Sequence, residues 1–370
     1  MMKVLLCSPY LKQPDITRGG INIWADNILS YRTQIESDII LIPVSFDRRN
    51  YVSVDTGMIR RMYLGLKEYS VSIKNAINAM DVEKPDVVHI CTSASISLTK
   101  DLILLRAAKS RGIKTAIHFH FGRIPDLIQK NNWEWKLLKQ CANLADVCIT
   151  MDMKSYKALK RKGYNTVYCP NPLSMEIIEQ IKKEKGNISR ITGKIVFVGH
   201  VLPSKGVYEL VEACKLLDGV ELHIIGKAEE PVLSELRAIA SEKNEGKWCV
   251  FRGEIPHNQV LSELMSASIF AFPSYTEGFP NVILEAMACG CPIVTTKVGA
   301  IPEMLDINEG YNYGICTEPQ NANLFYDALN EMYRDSAYAN RCAIRAEQRV
   351  NELYAVPVVW EQLVKIWRSA

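Results

Sequence analysis

Residues 277–292 read Glu277-Gly278-Phe279-Pro280-Asn281-Val282-Ile283-Leu284-Glu285-Ala286-Met287-Ala288-Cys289-Gly290-Cys291-Pro292, which predicts a loop, one helix and a turn. Gly278 and Pro280 suit a tight entry, with Pro280 near the first helical position. Asn281 to Ala288 are mostly good helix formers. Gly290 ends the helix, and Pro292 prevents its return. Pro292 to Thr296 reads as a buried strand. The chemistry lies in two carboxylates. Glu277 sits in the loop, and Glu285 lies one turn beyond Asn281 on the same helix face. A helix N-terminus offers unpaired N–H groups and the positive end of a dipole, which suits a phosphate. A Glu two turns in can accept both hydroxyls of a ribose. A solvated surface helix is the plain alternative, and the rest of the chain decides between them.

The chain has 370 residues, enough for two domains with sizeable cores. Hydrophobic content of 48% and charged content of 23% describe an ordinary globular protein. A net charge of +3 does not call for nucleic acid, though it allows a local basic face. Met1 to Cys7 turns polar at Ser8 and Lys12, too soon for the apolar core of a secretion signal. No apolar run approaches ~20 residues, so no spanning helix is expected. The eleven cysteines lack the spacing of a disulfide framework and read as reduced, which places the chain in the cytoplasm. Cys289 and Cys291 have no second Cys or His pair nearby and read as small buried apolar residues.

In the first half, Lys3 to Cys7 is a strand, followed by Arg18-Gly19-Gly20 and a helix near Trp24 to Leu29. That order can bring backbone N–H groups to a phosphate, although a diglycine is also a common turn. Val52 to Ala79 reads as an amphipathic helix carrying Arg60, Arg61 and Lys67. Pro85 to Cys91 is a strand, Leu98 to Arg111 a helix, and Lys114 to His120 a strand whose His118 and His120 share a side. His120, at the carboxyl end, is the better functional candidate, because open parallel sheets bind ligands there. Trp133, Trp135, Lys136 and Lys139 mark a basic amphipathic helix, Val147 to Thr150 a strand, and Tyr156 to Lys162 another basic helix. Val167 to Pro172 breaks regular structure and marks the domain boundary.

The second half repeats the alternation. Strand Lys194 to Val198 enters Gly199-His200-Val201-Leu202-Pro203-Ser204-Lys205-Gly206 and a helix from Val207 to Leu217. Strands Glu221 to Ile225, Trp248 to Phe251 and Ile269 to Pro273 alternate with helices Pro231 to Glu242 and Asn258 to Ser266. Alternation in both halves predicts parallel sheets. Asn323 to Ala370 is expected to be helical, interrupted at Pro357. D-x-D, H-E-x-x-H, G-x-G-x-x-G and G-x-S-x-G are all missing from the sequence, so no metal or nicotinamide cofactor is expected.

With these pieces placed, the chain resembles a family 4 glycosyltransferase of the GT-B fold. The most specific match is Glu277 to Pro292, which is similar to the family's E-x7-E element followed by A-M-A-x-G-x-P. Gly19-Gly20, Lys84 to His89, His120, Gly199 to Gly206, Val298 to Glu303 and Gly314 also fit. The resemblance implies two Rossmann-like domains with parallel sheets facing a central cleft. These are residues 1–172 with a C-terminal helix, 356–370, crossing back, and 173–355. The first would take the acceptor and the second the nucleotide sugar. It implies sugar transfer with retained configuration and no bound metal or cofactor. The donor would be a nucleotide-diphosphate sugar, preferably UDP-linked. The acceptor would be a saccharide or a lipid-linked one in cell-surface glycan synthesis.

By position, Lys205 would bind the diphosphate, and His200 stands where the family usually has Arg. Glu285 would take the ribose hydroxyls, and Glu277 would face the transferred sugar. The backbone of Gly278 and Phe279, leading through Pro280 to Asn281, would meet the phosphates. Gly253, Glu254 and Ile255 would line the base. His120 would hydrogen-bond the sugar near its 6-position, and Gly20 would let the N-terminal loop approach the diphosphate. The competing readings are a nucleotide-sugar epimerase of the same architecture and a non-catalytic sugar-binding protein. A basic face formed by Arg60, Arg61, Lys67, Lys136 and Lys139 suggests peripheral contact with an anionic membrane surface.

Overall fold

The computed structural model of the chain describes residues 1–9, 19–46, 58–307 and 311–370, with side chains described for all of these except 58–68. The chain divides into two compact units, Met1–Pro172 with Val356–Ala370, and Leu173–Ala355.

The first unit contains β1 (Met2–Ser8), α1 (Gly20–Gln34), β2 (Ile39–Ser45), α2 (Met58–Glu83), β3 (Val87–Thr92), α3 (Ser97–Lys109), β4 (Lys114–Phe119), α4 (Ile124–Lys130), α5 (Trp133–Leu144), β5 (Val147–Thr150), α6 (Met153–Arg161) and β6 (Thr166–Tyr168). Its strands form one parallel sheet in the order β2-β1-β3-β4-β5-β6. Every residue of β3 and β5 is buried, as expected for strands covered on both faces. Polar side chains start the helices. Asn132 accepts from the Trp135 N–H at 3.0 Å, and Asp152 from that of Ser155 at 2.7 Å, each satisfying an otherwise unpaired donor.

The second unit contains α7 (Met175–Glu184), β7 (Ile191–Val198), α8 (Val207–Lys215), β8 (Glu221–Ile225), α9 (Glu230–Ser241), β9 (Cys249–Gly253), α10 (His257–Ser266), β10 (Ala267–Phe272), α11 (Asn281–Ala288), β11 (Ile293–Thr296), α12 (Ile301–Met304), β12 (Ile315–Thr317), α13 (Ala322–Arg334) and α14 (Ser336–Arg349). The last helix, α15 (Val356–Ser369), returns to the first unit and packs on α1. Sheet order here is β12-β11-β10-β7-β8-β9, again all parallel. The chain enters at β7, winds outward through β8 and β9, then restarts beside β7 with β10. The order reverses between β7 and β10. Open parallel sheets bind ligands at such a point.

Several expectations need correction. The helix expected over Val52 to Ala79 runs from Met58 to Glu83, and residues 52–57 lie outside the described residues. Pro280 is the N-cap of α11 rather than its first residue. The C-terminal stretch is three helices, and Pro357 interrupts none of them. The breaks fall at Asp335, which caps α14 by accepting from the Tyr338 N–H at 2.8 Å, and at Ala355, where the backbone turns extended after the wide turn Val350–Tyr354 and two residues before Pro357. Pro357 lies in the first turn of α15, where a missing N–H costs nothing. Strand β2 adds an element beyond those read from the sequence; it is an edge strand of the sheet, where its Pro43 is tolerated. All eleven cysteines are free thiols.

Candidate active site

Two loops leave the sheet of the second unit where its strand order reverses. The first follows β7 and carries Gly199 to Gly206. The second follows β10 and carries Pro273 to Pro280. They meet at Lys205 and Glu277, whose Nζ and Oε1 lie 2.5 Å apart. Both side chains are largely buried, with 26% and 12% of their surface exposed, so the pair is only partly screened by water. Lys205 also stands over the Phe272 ring, 5.8 Å from its centroid. Gly206 makes this approach possible. Its φ is +69°, and a Cβ there would sit 2.1 Å from the Pro273 carbonyl oxygen.

The Glu277 loop is held from its other side as well. Thr295 Oγ1 donates to the Phe272 carbonyl at 2.7 Å, and Thr296 Oγ1 to that of Ser274 at 2.5 Å. The Ala300 N–H donates to the Gly278 carbonyl at 2.9 Å. Gly299, at φ +54°, leaves no space for a Cβ, which would lie 2.4 Å from the Glu277 carbonyl oxygen. The loop ends at Phe279, packed edge-on against Tyr354, and Pro280, which caps α11 without a side-chain hydrogen bond. Gly290 (φ +60°) follows the last helical residues, and its N–H donates to Met287.

Glu285, on α11, is 14% exposed and pairs at 3.2 Å with Nε2 of the half-exposed His257, the first residue of α10. The Glu285 carboxylate holds the His257 imidazole above its usual pKa, against the opposing effect of burial.

At the carboxyl edge of β7, β8 and β9, three glycines form a floor of bare backbone. Gly226 has φ +138°, and a Cβ on it would fall 2.0 Å from the Gly199 carbonyl oxygen. Its N–H donates to Gly253 at 2.8 Å, and the Gly199 N–H to Ile225 at 3.0 Å. Glu254 is exposed and Ile255 half-buried just beyond, and His200 is exposed beside Gly199.

In the first unit, Gly20 opens α1, is exposed, and has no described atom within 4 Å of where a Cβ would stand. His120 lies one residue past β4, and its N–H donates to the Thr92 carbonyl at 3.0 Å. It belongs to a cluster. Trp24 of α1 lies against His89, His118 and His120, with ring centroids 5.4, 5.1 and 5.0 Å away. Burial lowers the pKa of His89 and of His120 to about 3, and that of His118 well below normal, so all three rings are neutral. Trp367 Nε1 on α15 donates to His89 Nδ1 at 2.9 Å. Ligand atoms of His89, Cys91 and His118 lie within 4.8 Å of one another, a spacing open to a metal. The Trp367 hydrogen bond opposes that use. A neutral His89 accepting at Nδ1 keeps its proton on Nε2, the nitrogen left to ligate.

The structure thus brings Lys205, Glu277, Gly278, Phe279, Pro280, Asn281 and Glu285 into one loop-and-helix assembly, with Gly253 on the glycine floor of the same unit. His120 and Gly20 belong to the first unit. Two neighbours of these groups were not singled out from sequence: His257 and Trp367. His257 meets Glu285 across two helices and His89 meets Trp367 across the length of the chain, separations that carry no local signal. The spacing of His118 and His120 was visible, but their placement beside His89 depends on β3–β4 register, which sets Cys91 opposite His118.

The profile of the family described as "Glycosyl transferases group 1" matches residues 178–349. An uncharacterized glycosyltransferase of Methanocaldococcus jannaschii is 31% identical over 337 residues, covering 90% of this chain and 88% of the relative. The capsular polysaccharide biosynthesis glycosyltransferase CapM of Staphylococcus aureus is 24% identical over 181 residues, covering 47% of this chain and 46% of CapM. An alpha-maltose-1-phosphate synthase of Mycobacterium tuberculosis is 30% identical over 184 residues, covering 47% of each. The chain therefore spans about half the length of these last two curated relatives. Among solved structures, HepE of Anabaena in complex with UDP superposes with a TM-score of 0.71 at 17% identity, covering 100% of both chains. Sucrose-phosphate synthase of Thermosynechococcus elongatus gives 0.73 at 18% identity, covering 100% of this chain and 99% of that one. At such identity these structures establish the GT-B architecture and nothing finer.

Proposed function

The chain belongs to the group 1 glycosyl transferases, and from that premise we propose that it moves a sugar from a UDP-linked donor to a saccharide or lipid-linked acceptor in polysaccharide biosynthesis. Transfer retains the anomeric configuration and uses no bound metal. The observation that carries the reading is the Lys205–Glu277 pair at the reversal point of the second sheet. A lysine and a carboxylate side by side suit the two ends of one bond, between a diphosphate and a sugar. The diphosphate takes Lys205 and the N-terminal end of α11, which stabilise negative charge where it develops on the leaving group. Released from Lys205, Glu277 faces the sugar, holds a hydroxyl and stabilises the oxocarbenium-like charge. Glu285 takes the ribose hydroxyls in exchange for His257. The glycine floor and Gly253 to Ile255 accommodate the flat base. His120, neutral at physiological pH, acts as a hydrogen-bonding group for the sugar rather than as a charge. The leaving phosphate takes the acceptor proton on the same face.

Support from the relatives is coarser. CapM's description concerns capsular polysaccharide, and HepE was solved with UDP. The test is a thermal-shift screen against nucleotide sugars followed by assay of Glu277→Ala and Glu285→Ala. A bound donor raises stability by mass action. Glu285→Ala weakens donor binding, and Glu277→Ala mainly lowers turnover. Wild-type transfer by both variants ends the proposal. Mass spectrometry of the product separates transfer from the epimerase reading, in which free sugar leaves without an acceptor.

We also propose peripheral contact with an anionic membrane surface. Lys154, Lys157, Lys160, Arg161 and Lys162 are exposed along α6 and its exit. Lys136 and Lys139 are exposed on α5 beside Trp133, which is 55% exposed, and α4 packs against both helices. The side chains of Arg60, Arg61 and Lys67 lie outside the described residues. Cations around an aromatic suit an anionic interface. Absence of flotation with anionic liposomes removes this proposal.

A further inference from the structure

The Lys205–Glu277 contact presents a mechanical difficulty, and the structure contains a device that answers it. If the donor diphosphate takes Lys205, the Glu277 loop loses its ionic link to the β7 loop at the moment when Glu277 must be well placed. A second link joins the same two segments. Tyr275 lies two residues before Glu277, and its hydroxyl donates to Glu209 Oε1 at 2.5 Å. Glu209 stands in the first turn of α8, directly after Lys205 and Gly206. The Tyr275 N–H also donates to the Ser204 carbonyl at 2.9 Å. Both side chains are half-buried, and a hydrogen bond to an ionised acceptor is roughly twice as strong as a neutral one. Burial and the Glu209 carboxylate both raise the Tyr275 pKa, so the phenol keeps its proton through the working pH range.

We propose that Tyr275 and Glu209 are positioning residues for the transfer reaction: their hydrogen bond keeps Glu277 aimed while Lys205 changes partner from Glu277 to the donor diphosphate. The inference rests on the donor-site reading above and deepens it. The two links have separate duties. Lys205–Glu277 is exchangeable, because each partner has a use in the donor complex. Tyr275–Glu209 is permanent, because neither side chain is needed by the donor. Without it, Glu277 is held from the β11 side and by the Tyr275 backbone, and the β7 side of its loop loosens whenever donor binds.

The test uses the full chain with Tyr275→Phe, Glu209→Ala, Glu209→Gln and the double variant Tyr275→Phe/Glu209→Ala. Each is assayed for kcat, donor KM, UDP affinity and amide hydrogen exchange of residues 274–279. Tyr275→Phe and Glu209→Ala each lower kcat about 10-fold, because misplacement of a catalytic group by a fraction of an ångström is expensive. UDP affinity stays within about twofold, since UDP is held by Lys205, the N-terminal end of α11 and Glu285, whereas Glu277 faces the sugar that UDP lacks. Glu209→Gln, which still accepts from the phenol, recovers most of the rate. The double variant is no slower than either single one, as befits one shared interaction. Exchange of the loop amides rises in Tyr275→Phe, most of all with UDP bound. Wild-type kcat in Tyr275→Phe, or kcat and UDP affinity falling together, overturns the proposal. So does a Glu209→Gln variant as slow as Glu209→Ala, or loop exchange unchanged in the UDP complex. A wild-type protein that binds no nucleotide and transfers no sugar contradicts the donor-site reading instead. Loop exchange without ligand then still shows whether Tyr275 restrains the loop.

Discussion

The carboxyl edges of the two sheets solve different problems, although both sheets are six parallel strands and differ only in strand order. In the second unit the edge is ionic. Lys205 faces Glu277, Glu285 faces His257, and glycines bring backbone close on all sides. In the first unit the cluster around His120 is neutral and aromatic. His89, His118 and His120 lie under Trp24, and Trp367 fixes one ring by hydrogen bond. A fold of parallel strands and covering helices prescribes where ligands bind, but not with what chemistry. A diphosphate requires charge that can be redistributed. Neutral imidazoles suit hydroxyl groups, which take hydrogen bonds without a counterion.

The largest expected effect concerns acid. An imidazole with a depressed pKa binds fewer protons folded than unfolded. Stability is then at its full value above the unfolded pKa near 6.5 and falls as pH drops toward the folded value, about 3 for His89 and His120. Each such ring contributes a slope of about 1.4 kcal/mol per pH unit in that window. The first unit should therefore unfold on acidification before the second. Trp24, Trp133, Trp135, Trp360 and Trp367 lie in the first unit and Trp248 in the second, so tryptophan fluorescence reports mainly the first. Emission that stays constant from pH 6.5 to 4 would erase the contrast.

Next in size is Gly206→Ala in the second unit. The backbone strain alone costs about 1–3 kcal/mol, before the contact with Pro273 is relieved. Denaturant unfolding measures it, and loss of UDP binding should accompany it. Trp367→Phe comes third. It leaves His89 Nδ1 buried without its donor, a cost of about 1–3 kcal/mol, which should appear in the first unit's transition with UDP affinity unchanged. The smallest effect belongs to His257→Gln. The His257–Glu285 pair is complete below pH 6.5 and is lost as pH rises through the elevated folded pKa of His257. Donor affinity of the wild type should rise modestly over that range as Glu285 is freed, and calorimetry on His257→Gln should show that dependence flattened, with at most about a threefold change in affinity.

Much of this was legible in the residues themselves. Gly278, Pro280, Gly290 and Pro292 bound α11 because each acts on its own backbone. Alternating apolar runs and amphipathic stretches announced parallel sheets, since periodicity is local. Glu277, Glu285 and Lys205 could be proposed from position in recognisable motifs. Pro357 marked an interruption to within two residues, at Ala355, but a proline can end one helix or start the next, and here it starts α15. Whether Pro43 can sit in strand β2 depends on that strand lying at an edge, which the sheet order alone decides.

Local chemistry along the chain therefore determined the element types and the two-unit α/β architecture, while the acidic pair was put forward from its resemblance to a family motif. Tertiary structure alone decided who meets whom: Lys205 with Glu277, Tyr275 with Glu209, Glu285 with His257, and Trp367 with His89. The physical reason is range. Backbone dihedrals and capping act over a few residues, whereas ion pairs and buried hydrogen bonds depend on strand order and register, which form only when the whole sheet closes.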